Sequence, residues 1–165
     1  MSFGGIAREG FITGSIGAAI VASWFLIVDV VSGRPFFTPA MLGRAFFWGF
    51  SDPTAVDISL PAVVGYSMVH VLAFVLIGII AVLLACQVER VPATLFIVAV
   101  FFAVFEFGFY VTVAIVAQPI LGAMAWWAVA IGNALAALGM GYFLWHTHPR
   151  IRQALRQHPL GAVAD

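Results

Sequence analysis

Apolar side chains along this chain run in long blocks rather than alternating, and the length of the blocks matches a bilayer. Crossing hydrocarbon takes roughly 20 apolar residues as a helix, and four stretches meet that length, at about 11–31, 62–86, 93–117 and 121–145. Pro61, Pro92 and Pro119 stand before or between them, where proline starts or stops a helix rather than kinking one. The links at 87–92 and 118–119 are short, so the last three spans are expected to be successive antiparallel neighbours. A longer link, 32–60, contains TPAMLGRAFFWGF. Thr38 suits an N-cap there and Pro39 the first helical position, which predicts a short helix over about 39–50. Arg34, Arg44 and Trp48, with the phenylalanines around them, fit the headgroup layer. The pattern predicts an all-α integral membrane four-helix bundle with a short interfacial helix between the first and second spans. It forms a single transmembrane domain over 1–165, ending in a solvated tail over 146–165.

Composition sharpens this. Of 165 residues, 64% are hydrophobic and 8% charged, with a mean hydropathy of +1.12, whereas a soluble domain is about 25% charged. A water-soluble fold of this size has too little interior to hide so much apolar surface. Seven arginines balance seven acidic residues, which leaves no electrostatic footprint for nucleic acid. Arg8, Arg90, Arg150, Arg152 and Arg156 fall on the side of the termini, against Arg34 and Arg44 on the other. The positive-inside rule then places both termini in the cytoplasm of an inner (plasma) membrane protein.

Inside the spans, polar side chains gather at one depth. With a rise of about 1.5 Å per residue, His70, Glu106 and Asn133 fall within roughly one helical turn of a common level. Tyr66 and Tyr110 lie four residues from His70 and Glu106 on the same faces, and Asp29 lies nearer the interface. An unpaired ionised carboxylate at the depth of Glu106 costs at least about 2.5–3.5 kcal/mol, so Glu106 is expected to face His70, Asn133 or a tyrosine hydroxyl. Two uses of such a belt stay open. It is either hydrogen-bond glue between helices, worth about 0.6 kcal/mol per pair, or a proton-exchanging or ligand-binding site built on His70 and Glu106. Small residues at Gly14, Ala18 and Ala22, and at Ala128, Gly132 and Ala136, allow close helix approach.

Chemistry-bearing patterns are otherwise sparse. A catalytic zinc needs three protein ligands, and the spans offer one histidine and one nearby carboxylate. HTHP at 146–149 has no recognised ligand spacing. GSIG at 14–17 lacks the length and lysine of a phosphate loop. The single cysteine, Cys86, ends an apolar run and reads as a buried or lipid-facing thiol. No enzyme, metal or cofactor is predicted, although a bound lipid is compatible with the aromatic walls.

The phrases FLIVDVVSGRPFFTPAMLGRAFF, VGYSMVHVLAF and VFEFGFY give a layout that resembles small four-helix bacterial inner-membrane proteins. That resemblance implies no activity and transfers no site residues. The leading expectation is a non-catalytic structural or accessory subunit, self-associated or joined to other membrane subunits in the lipid bilayer. The alternatives are a small proton-coupled transporter or channel using Glu106 and His70, and a lipid, quinone or pigment binder.

Overall fold

A computed structural model of the chain describes residues 2–49, 57–91, 94–96, 100 and 126–157. All regular structure among them is helical: α1 (Phe3–Val31), α2 (Phe37–Trp48), α3 (Leu60–Arg90), α4 (Trp126–Thr147) and α5 (Pro149–Gln157). Three of these, α1, α3 and α4, are long and apolar enough to cross a membrane. The chain is therefore a multi-pass membrane protein. Most of the span expected at 93–117, including Glu106 and Tyr110, lies outside the described residues.

α1 begins at Phe3 rather than near 11, because Ser2 caps it: the Ser2 hydroxyl accepts from the Gly5 amide at 3.3 Å. Its 29 residues give a length of about 43 Å, more than the roughly 30 Å of hydrocarbon. Arg8 and Glu9 thus belong to the end of the bundle rather than to a tail before it. α1 is the spine, packed against both α3 and α4. α3 runs antiparallel to it, with Gly10 facing Ile79 and Gly14 facing Phe74 and Val75. There the backbones touch: a Cβ on Gly78 would strike the Gly10 carbonyl and the Gly14 amide, and one on Gly14 would strike the Phe74 carbonyl. Glycine is required on both sides of this seam. Of the stripe expected at Gly14, Ala18 and Ala22, the first two are buried and Ala22 is exposed. The contact follows Gly10, Gly14, Gly17, Ala18 and Val21 instead, the three- and four-residue steps of one helix face.

α4 also runs antiparallel to α1. Gly17 meets Met140, Gly139 meets Ile20, and Gly132 meets Trp24. Ala128, Ala136 and Met140 are buried, while Trp127, Ile131, Leu135, Leu138, Tyr142 and Trp145 are exposed. Small residues inside and large apolar ones outside, with aromatics at both ends, is the arrangement a lipid-facing helix adopts.

α2 packs mainly on α3, with Gly43 set against the Ala62 backbone and Phe47 over Gly65. It starts two residues earlier than expected. Phe36 takes the N-cap position in the left-handed region at φ 65° and supplies no side-chain cap. Thr38 sits inside the first turn, because the capping group comes from α1. The segment expected as a solvated tail is also revised. His148 is buried and α5 folds back, seating Ile151 against Ala85 and Val88 with Leu144 alongside.

Candidate functional site

Polar side chains concentrate at the two ends of α1. At its C-terminal end, Asp29 is 4% exposed. One carboxylate oxygen accepts from the Thr38 amide at 2.8 Å and the other from the Thr38 hydroxyl at 2.7 Å. This carboxylate replaces the missing cap of α2, in the position where an anion also meets the positive end of the helix dipole. The link is pulled tight by Arg34 N donating to Asp29 O at 2.9 Å and Phe37 N donating to Arg34 O at 3.1 Å. Gly33 takes φ 71° to permit the turn. The Arg34 guanidinium stacks 3.9 Å from the Phe37 ring, a cation–π contact. Asp29 is thus joined to α2 and does not face His70. Arg44 is half-buried and Trp48 exposed on the same short helix.

At mid-depth, His70 on α3 reaches α1: its Nε2 lies 3.3 Å from the Ala18 carbonyl oxygen. Because a carbonyl only accepts, that ring nitrogen carries the proton. Tyr66 and Phe74 flank the ring at centroid distances of 5.9 and 4.8 Å. Further along, the Trp24 indole N–H donates to the Ala128 carbonyl of α4 at 2.7 Å. Asn133 is half-buried on α4. Expected partners of His70 and Asn133 on the third predicted span fall outside the described residues.

The N-terminal end of α1 holds a cluster that the spacing of the chain does not announce. His148, 4% exposed, lies between Glu9 of α1 and Glu89 of α3, which are 14% and 18% exposed. Its Nδ1 stands 2.9 Å from Glu89 Oε1, and its Nε2 stands 3.1 Å from Glu9 Oε1. The first is an aligned hydrogen bond. The second is an ion-pair distance without hydrogen-bond alignment, and both of its atoms are shielded from solvent. His148 sits at the corner between α4 and α5, its own amide bonded to the Leu144 carbonyl at 2.9 Å and its carbonyl receiving the Ile151 amide at 3.1 Å. Its neighbour His146 is exposed, bonded to the Tyr142 carbonyl at 2.9 Å and set 4.3 Å from the Tyr142 ring at a tilt of 44°.

Two ring nitrogens facing two carboxylates can exchange protons and bind charge. Among the described residues, no group of three or more His, Cys, Asp or Glu is arranged to hold a metal ion. Compared with family models, curated proteins and solved structures, the chain matches none.

Proposed function

We propose that the chain is a non-catalytic structural or accessory subunit of a homo- or hetero-oligomeric membrane complex, with its polar side chains spent on fixing one helix to another. One observation carries this reading. Polar contacts along α1 each bind a different neighbour: Glu9 binds the α5 corner through His148, Ala18 binds α3 through His70, Trp24 binds α4, and Asp29 binds α2. Groups committed in this way specify which faces meet, the use polar residues have in bilayers where apolar burial cannot discriminate between partners. The broad exposed apolar faces of α3 and α4 leave ample surface for lipid or a neighbouring subunit.

The same reading includes a fourth crossing and cytoplasmic termini. Support for the crossing comes from direction: α3 ends near Glu9 and α4 starts near Trp24, at opposite ends of α1. Support for the orientation comes from Arg8, Arg90, Arg150 and Arg152, which belong to the Glu9 end.

Purification from native membranes in mild detergent, followed by native mass spectrometry, tests the proposal. It predicts a fixed stoichiometry, either with other membrane proteins or with further copies of the chain. A clean monomer that retains its fold would overturn it.

A further inference from the structure

The two ends of the bundle differ in what their charged side chains do. At the α2 end the Arg34 guanidinium lies over the Phe37 ring, Arg44 is half-buried, Asp29 caps α2 through Thr38 and Asp57 is exposed. Both signs of charge are present there. At the Glu9 end they are sorted. Glu9 and Glu89, the acidic residues there among the described ones, each turn a carboxylate oxygen to His148, which is 4% exposed. The arginines stay outside: Arg8, Arg90 and Arg150 are exposed and Arg152 is half-buried. Among the described residues, the ion pairs at this end run to His148 and none includes an arginine. This end therefore presents a cationic surface, although the chain as a whole has a formal net charge of zero.

Three helices contribute to that surface, and specific contacts gather them. Glu9 lies 3.1 Å from His148; Arg8 precedes Glu9 on α1, and Arg150 follows His148 by two residues. Arg150 and Arg152 flank Ile151, which seats against Val88, two residues before Arg90 on α3. By folding back at the His148 corner, α5 holds its pair of arginines beside the other two. The depth is that of lipid headgroups. Glu9 and Asp29 are 29 − 9 = 20 residues apart on α1, a rise of about 30 Å that matches the roughly 30 Å of hydrocarbon. With Asp29 and α2 at one boundary, Arg8 lies at the other.

At a membrane boundary, the ligand whose chemistry fits such a surface is a phosphodiester. Guanidinium groups bond phosphate oxygens in pairs and keep their charge in nearly any surroundings. Their aliphatic stems lie along apolar surface while the heads reach the headgroups. We propose that Arg8, Arg90, Arg150 and Arg152 form a binding surface for the headgroups of anionic phospholipid, completed by α5. This surface is independent of whether the protein is a subunit.

Native mass spectrometry of the full chain in mild detergent tests it, with phosphatidylglycerol titrated against phosphatidylcholine of the same acyl chains. Each arginine near a membrane surface is worth about fivefold in affinity for anionic lipid. Phosphatidylglycerol is therefore expected to bind at least about 25-fold more tightly than phosphatidylcholine. Arg150→Gln with Arg152→Gln should weaken phosphatidylglycerol binding about 25-fold and leave phosphatidylcholine unchanged. Arg34→Gln, at the other end, should leave the preference intact. Equal affinity for the two lipids in the unaltered chain overturns the proposal without any variant. A preference that survives the double substitution on α5, or one that is lost with Arg34→Gln, overturns it as well. Displacement of bound phosphatidylglycerol by polyglutamate or inorganic phosphate at matched ionic strength would assign the surface to a soluble anion instead, and would also overturn it.

Discussion

Asp29 and Glu9 are carboxylates near opposite ends of one helix, both largely shielded from water, and the fold treats them in opposite ways. Asp29 receives its bonds from an amide and a hydroxyl of Thr38, donors that keep their protons across the physiological range. Glu9 faces the His148 imidazole at 3.1 Å without hydrogen-bond alignment. The first carboxylate makes a permanent cap for α2. The second meets the corner between α4 and α5, where His148 also bonds Glu89 of α3. Burial of a carboxylate therefore does not by itself say how firmly it is held; the alignment of the donor decides.

The strongest way to disturb both ends at once is to open the seam between them. Gly78→Leu places a side chain where the Gly10 and Gly14 backbones stand, and is expected to cost roughly 3 kcal/mol, the upper end of the overpacking range. Thermal unfolding in detergent should show the loss at every pH, since no titrating group is involved. Next come single-end changes. His148→Ala removes the bond to Glu89 and leaves two carboxylates side by side, and should cost about 2 kcal/mol. Asp29→Ala should cost about 1 kcal/mol, the usual worth of a helix cap. Equal losses for the two variants in thermal unfolding would erase the contrast. The smallest effect is expected from Trp24→Phe, which removes the bond to Ala128 at the start of α4 and should cost about 0.6 kcal/mol.

Much of the fold could be read from hydropathy. Spans matching α1, α3 and α4 follow from block length, and a short helix is expected in the longer link where α2 lies. Details at the helix ends could not, because there the partner is distant in sequence. Thr38 has the side chain of an N-cap, yet the group that caps α2 is Asp29, nine residues earlier and on another helix. His148 lies just outside the last apolar block, where a hydropathy profile assigns everything to solvent. Two signals at that position do point inward. Pro149 directly after His148 marks the first position of a new helix. Glu9, Glu89 and His148 are also the polar residues that three separate spans bring to the same end. What hydropathy supplies is depth, and residues sharing a depth near the boundary deserve the same scrutiny as those in the middle.

The central claim is that polar side chains tie α1 to each of its neighbours. Nitrogen-15 NMR of histidine-labelled protein in bilayers reads one such tie directly, with His70→Gln used to assign the His70 signals. His70 should carry its proton on Nε2, bonded to the Ala18 carbonyl. A His70 ring protonated only on Nδ1 would contradict the account.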